Sequence, residues 1–226
     1  MRLTYYGHSC FSVVAGGQTL LFDPFITSNS LASNIDINQI PADFILLSHG
    51  HFDHVCDAAD IANRTGATVI APFEVGEWFE KKGVKNVQAM NHGGAARMPF
   101  GRVKLTSAVH SSSMPDGSYG GNACGFVVEA AEGNFYYSGD TALTLDMKLI
   151  AEQTRLAFAV LPIGDFFTMG IEDACRAAEF VGVDRFVGVH YDTFSPIKLD
   201  RDAALKTAHA AGRELLLPKI GEAIEL

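Results

Sequence analysis

The chain has 226 residues, 48% of them hydrophobic and 19% charged, with 22 glycines and a formal net charge of −9 at pH 7. That balance excludes a disordered chain or a coiled coil, and suits one medium domain over residues 1–226, or one built from two similar halves. The acidic sign excludes a broad nucleic-acid footprint, which needs clustered Lys and Arg.

The amino-terminal MRLTYYGHSCFSVV lacks a continuous apolar signal core, and no run reaches about 18 apolar residues, so no membrane segment and a soluble, cytoplasmic protein are expected. Its bulky and β-branched residues predict one strand with a kink at a glycine. Gly16-Gly17 is a turn, and TLLFDPF completes a hairpin. Residues 27–41 are polar and irregular. PADFILLSHGHFDH then gives the short strand FILL, ending at a histidine cluster. DAADIANRTG has helical spacing with a glycine stop. ATVIAP is a strand, VGEWFEKKG a helix, and VQAMN another strand. VKLTSAVHSS predicts a strand ending at a histidine, and ACGFVVEA with NFYYSGDT a hairpin ending at an aspartate. LDMKLIAEQTR, IEDACRAAEFVG and residues 200–212 predict helices. LAFAVLPIG, DRFVGVHY and ELLLPKIG predict strands. Strands dominate first and alternate with helices later, which predicts two mixed sheets packed together with helices outside.

Five of these strands run toward Asp23, His49, His110, Asp140 and His190. Strand ends form a rim, where a rigid scaffold gathers residues distant in sequence. One of them leads into SHGHFDH, which packs His49, His51, Asp53 and His54 into six positions. Imidazole and carboxylate suit a divalent transition ion of zinc type. Residues two apart converge in a tight loop, so His49 and His51 can grip one ion while Asp53 and His54 face a neighbouring site. A closed structural zinc site favours cysteine, but Cys10, Cys56, Cys124 and Cys175 lie far apart without a CxxC pair and read as free buried thiols. A two-metal hydrolytic site accounts better for the mixed set. His92 reads as a loop histidine and His209 as a surface residue of the last helix.

With these motifs the whole chain resembles the metallo-β-lactamase-fold superfamily and, within it, the UPF0173 metal-dependent hydrolases. The strings that carry the resemblance are the HxHxDH motif at His49, His51, Asp53 and His54, together with YYGHSCF, LLFDPF, YYSGDT, LPIGDFFTMG and GVHYDTF. The resemblance implies an α/β four-layer αββα sandwich. It implies one metal held by His49, His51 and His110, a second held by Asp53, His54 and His190, and Asp140 bridging the two. Zinc is the first expectation for both ions; Mn, Fe, Ni and Co suit the same ligands. His8 and Asp53 are the candidate catalytic side chains, with His8 orienting substrate or protonating a leaving group, although a packed histidine is a comparable reading. Asp23, Asp165 and Asp192 are expected around the site. Asp23 would hold a loop or a ligand histidine's far nitrogen, Asp165 would line the pocket, and Asp192, like Thr193, would brace the backbone. Phe25, Phe166, Phe167 and Met169 are candidate apolar walls, with core packing an equal reading, and residues 111–121 a candidate mobile rim.

The motif is specific for fold and metal and weak for substrate. The reading is a dinuclear hydrolase acting on a small ester, amide, lactone or phosphodiester. The partner is a small molecule, with no nucleic acid expected and a homo-oligomer compatible. A non-catalytic metal-binding protein and an iron redox protein on the same scaffold are the alternatives.

Overall fold

The amino-terminal run folds as two strands, not one. Arg2–Gly7 (β1) and Cys10–Ala15 (β2) pair antiparallel, and Gln18–Phe22 (β3) adds to β2. The computed structural model, which describes residues 1–226, reverses the chain at Gly7-His8-Ser9. Gly7 has φ +106°, and a Cβ there would stand 2.8 Å from Asn29 Nδ2. Only glycine accommodates both constraints. The predicted kink is therefore a tight turn, and His8 sits in it with φ 54° rather than on a strand.

Beyond β3 the sheet continues in parallel through Phe44–Leu46 (β4), Thr68–Pro72 (β5) and Val87–Met90 (β6). Parallel pairing needs crossovers, and helices supply two of them. Phe52–Val55 (α1) and Ala58–Thr65 (α2) link β4 to β5, and Phe73–Lys81 (α3) links β5 to β6. The irregular segment 27–41 contains two 3₁₀ turns, Ser30–Ala32 and Ile37–Gln39, capped by the side chains of Asn29 and Asp36.

The second sheet has the same plan. Ala95–Met98 (β7), Gly101–Ser107 (β8), Cys124–Ala130 (β9) and Gly133–Tyr137 (β10) are antiparallel. Phe158–Pro162 (β11), Arg185–Val189 (β12) and Glu214–Leu216 (β13) extend β10 in parallel. Met147–Gln153 (α4), Ile171–Phe180 (α5) and Arg201–Ala210 (α6) complete this half. Ala223–Glu225 (β14) then returns to pair with β1, giving two seven-stranded sheets. The edge strands β7 and β14 and the single turn α1 carry no strong period of their own. Each is formed by its neighbours.

Three clusters of buried side chains fix the layers. The middle one joins the two sheets face to face, with Phe11, Phe22, Phe126, Phe135 and Tyr137 at its centre. Phe22 stacks on Phe11 at 4.5 Å between ring centroids and meets Phe135 edge-on at 5.8 Å. Truncating such a ring to alanine costs about 3–5 kcal/mol. A second cluster packs α2 and α3 on the first sheet, and a third packs α4, α5 and α6 on the other. The architecture is α/β, a helix–sheet–sheet–helix sandwich. No helix is long and apolar enough to cross a membrane.

Candidate metal centre

The site lies where strands of both sheets end at one edge of the sandwich. Asp23 follows β3 directly and His190 follows β12 directly, but His49, His110 and Asp140 each stand three residues past β4, β8 and β10. Those extra residues turn the chain inward over the sheet edge. At the β10 exit the turn uses Gly139, at φ +61°, where a Cβ would lie 2.4 Å from the Cys124 carbonyl oxygen. His51 is extended (φ −61°, ψ 144°) and caps the single turn α1, which presents Asp53 and His54.

Besides a fully buried trio of Asp23, His49 and His54, two groups of possible ligand atoms result. One is His49, His51 and His110; the other is His8, Asp53, His54 and His190; within each, the atoms all lie within 4.8 Å of one another. Asp140 stands between the groups. Its Oδ2 is 3.0 Å from His190 Nε2 and 3.2 Å from His54 Nε2 on one side. On the other it is 3.7 Å from His110 Nε2 and 4.0 Å from His49 Nε2. The structure thus brings together all seven residues that the resemblance marks as ligands, and adds His8.

Behind them lies a buried polar layer centred on Asp23. Its Oδ2 is 2.8 Å from His54 Nδ1 and accepts the Tyr137 hydroxyl at 2.6 Å and the Ser48 hydroxyl at 2.6 Å, while its Oδ1 accepts the Ser48 backbone N–H at 2.7 Å. Ser48 Oγ is also 2.9 Å from His49 Nδ1. One carboxylate therefore orients histidines of both groups, directly or through a hydroxyl. Buried Asp57 holds the adjoining loop by accepting the Ile26 and Thr27 N–H groups at 2.6 and 3.0 Å. Ser48, Asp57 and Tyr137 went unmarked in the sequence as site residues, and Thr193 was expected only to brace the backbone. Ser48 and Tyr137 sit inside quoted motifs, but no periodicity marks a hydroxyl that points backward.

Burial sets the charge states. It holds the His49 imidazole well below its ordinary range, helped by His54, and lowers His51 and His110 in the same direction. His8 is brought down to about 4 by burial and by the neighbouring His190. Neutral imidazoles with free lone pairs are what a cation requires. For Asp53 and Asp140, burial opposes the charge, but the surrounding histidines outweigh it and keep both carboxylates ionised. His54 moves upward: burial opposes its charge too, but Asp140, Asp23 and Asp53 together stabilise a cation at this point.

A metal fits this donor set. His54 Nε2 and Asp140 Oδ1 are buried without a hydrogen-bond partner. Buried polar atoms are rarely left so, and within hydrogen-bond distance in the protein His54 Nε2 meets only the Asp140 carboxylate, at 3.2 Å to Oδ2. An ion between them would satisfy both.

A cavity of about 490 Å³ opens above. His51, Asp53, His110, Asp140 and His190 form its floor, and Phe52, Phe167, Phe194 and Pro196 its walls. Several expectations need correction. His8 is 1% exposed and lies behind Asp53, off the cavity wall. Asp165 is exposed, and its backbone carbonyl accepts the Thr168 N–H in a tight turn, so it does not line the cavity. Met169 and Phe25 are buried in packing, on the segments that follow β11 and β3. Asp192 accepts the Leu199 backbone N–H at 2.9 Å, the bracing contact expected of it. Residues 111–121 border the cavity at Ser111 and are tied back to the body of the fold. Gly50 donates to Ser112 Oγ at 3.1 Å, Trp78 Nε1 donates to Asp116 at 2.7 Å, and Met114 is buried. His92 reaches the Ala123 carbonyl at 2.8 Å, and His209 is exposed on α6.

Comparison with known proteins gives the family and the fold. Residues 18–191 match the family described as "Beta-lactamase superfamily domain". A UPF0173 metal-dependent hydrolase of Christiangramia forsetii is 50% identical over 227 residues, covering 100% of both chains. The solved structure of a metallo hydrolase from the archaeon Ignicoccus hospitalis superposes with a TM-score of 0.89 at 32% identity, over 99% of this chain and 97% of that one. An isothiocyanate hydrolase from Delia radicum gut bacteria shares the fold, with a TM-score of 0.80 at 19% identity over 100% and 99% of the two chains. The chain belongs to the UPF0173 metal-dependent hydrolases of the metallo-β-lactamase superfamily.

Proposed function

We propose that the protein is a dinuclear hydrolase of small esters, amides, lactones or phosphodiesters that carry a hydrocarbon group. The observation that carries this reading is the position of Asp140, whose Oδ2 lies within 4.0 Å of imidazole nitrogens from both histidine groups. His49, His51 and His110 would hold one divalent ion, and Asp53, His54 and His190 the other, with Asp140 shared. Two such ions, when bound, supply Lewis acidity and make hydroxide available near neutral pH.

The chain's own groups do the rest. Asp53 and Asp140 stay ionised and keep the floor anionic, so cations are retained and their charge is partly offset. Phe52, Phe167, Phe194 and Pro196 desolvate the apolar part of a substrate and position it against the floor. No Lys or Arg lines the cavity, so a polyanion finds no anchor beyond the metals. That favours a neutral or singly anionic substrate.

Asp140→Ala tests the assignment. We expect metal content, measured by elemental analysis after reconstitution with zinc, to fall from about two ions per chain to below one. Turnover of p-nitrophenyl butyrate or bis(p-nitrophenyl) phosphate should fall about 10²–10³-fold or more. Two tightly held ions in this variant would remove Asp140 from the bridge.

A further inference from the structure

We propose that Thr193 is a positioning residue: its hydroxyl sets the tautomer of His8, and His8 in turn fixes the Asp53 carboxylate that faces the site. The inference rests on the reading of Asp53 as a metal ligand. The geometry is a three-member chain. Thr193 Oγ1 is 3.0 Å from His8 Nδ1, and His8 Nε2 is 3.0 Å from Asp53 Oδ2.

The hydrogens follow from what each group can do. An ionised carboxylate only accepts, so Nε2 must carry the hydrogen toward Asp53. His8 is 1% exposed and packed between Phe25 at 5.4 Å and Phe194 at 5.5 Å, with the His190 ring at 4.2 Å. Asp53 bonds the ring at Nε2, but Nδ1 meets a hydroxyl and no anion among these rings, so nothing there holds a second proton. The ring is then neutral, Nδ1 is an acceptor, and Thr193 Oγ1–H is its donor. The other acceptor near that hydroxyl, the Tyr191 carbonyl, is at 3.4 Å, a longer and weaker contact.

The ring has no room to choose otherwise. The His8 carbonyl accepts the His190 N–H at 2.9 Å and the Tyr5 hydroxyl at 3.1 Å, which ties the β1–β2 turn to the end of β12. His8 stands among the possible ligand atoms by distance alone. Both of its nitrogens are already engaged, so it offers an ion no lone pair while Thr193 is in place. Its contribution is to hold Oδ2 of Asp53 at one orientation. The same segment, 190–196, thus carries a candidate ligand (His190), the tautomer lock (Thr193) and two cavity walls (Phe194 and Pro196).

The test uses the full chain reconstituted with zinc, as wild type, Thr193→Val and Thr193→Ser, with His8→Gln to assign the His8 signals. Two-bond ¹⁵N–¹H NMR reads each imidazole's tautomer. Zinc affinity is read by competition with a chromophoric chelator. We expect His8 protonated on Nε2 and bare on Nδ1 in wild type and in Thr193→Ser. In Thr193→Val that signature should be lost or mixed, and one of the two ions should bind roughly 10- to 100-fold more weakly. A purely packing role for Thr193 would leave valine neutral in both readouts, and that result overturns the proposal. So does a wild-type His8 protonated on Nδ1, a measurement that needs no variant to fold. If the wild type binds fewer than two ions while the tautomer result stands, the dinuclear reading fails and the Thr193–His8 assignment does not.

Discussion

His49, His51 and His110 form a half-open group. His49 is buried, but His51 and His110 are partly exposed and stand on the cavity floor. Their outside support is thin: Ser48 behind His49, and Ser111 Oγ 3.4 Å from His51 Nε2. The opposite group is closed from behind, although Asp53 and His190 also reach the cavity floor. His54 and His190 are buried, Asp23 holds His54, and Thr193 and His8 hold Asp53. Both groups draw on exits from both sheets, and what differs is the polar support behind them. Side chains whose orientation is fixed beforehand lose less entropy on binding. The two halves of the site should therefore differ in affinity although their ligands are chemically alike.

The sharpest test of that difference is Asp23→Ala. It leaves His54 without its carboxylate and two buried hydroxyls, Ser48 and Tyr137, without their acceptor. We expect a loss of about 3–5 kcal/mol in chemical denaturation and weaker metal binding on the closed side. A loss below about 1 kcal/mol would mean that water replaces the carboxylate and the closed group is not specially braced. A smaller effect is expected on titrating a chelator against the loaded protein. One ion should leave first, at roughly tenfold lower chelator strength, and the half-open group should be the one to empty. Histidine NMR would identify it by perturbation of His51 and His110 before His54. Simultaneous release, or release from the closed side first, would refute the comparison.

The smallest expected effect concerns backbone strain. Six non-glycine residues adopt positive φ: His8, Asp23, Asp165, Phe166, His190 and Asp192. Each costs about 1–2 kcal/mol. Three of them, His8, Asp23 and His190, place side chains in or behind the metal centre, so there the strain accompanies function. Phe166 has φ 56° and is 72% exposed. Phe166→Gly should raise stability by up to about 1 kcal/mol, seen as a higher melting temperature. A fall would mean that the contact of Phe166 with the Phe167 ring outweighs the strain.

The fold was largely legible in the chain, and so were the seven residues that converge at the candidate site. The parallel strands β4, β5, β11 and β12 are short apolar runs, and burial on both faces makes them so. Helices α2, α3 and α5 carried their period and their stops. What escaped were β7, β14 and α1, whose few residues gain their pairing from neighbours. The turn at Gly7–Ser9 also escaped, because a glycine inside a strand-like run marks a kink or a reversal equally well.

The sequence by itself determined the chemistry of the centre. Imidazoles and carboxylates stand at strand exits with fixed spacing in SHGHFDH, and residue type limits which ion they accept. Only the tertiary structure decided how those groups are held and what faces the substrate. It put His8 behind Asp53 instead of on the wall, turned Asp165 out and Met169 in, and raised Phe52, Phe194 and Pro196 around the cavity. The physical reason is direction. A residue's identity fixes what its side chain can bond, but where that side chain points depends on backbone angles set by strands and loops remote in sequence. Thr193 meets His8 across 185 residues of chain, and no local pattern encodes that meeting.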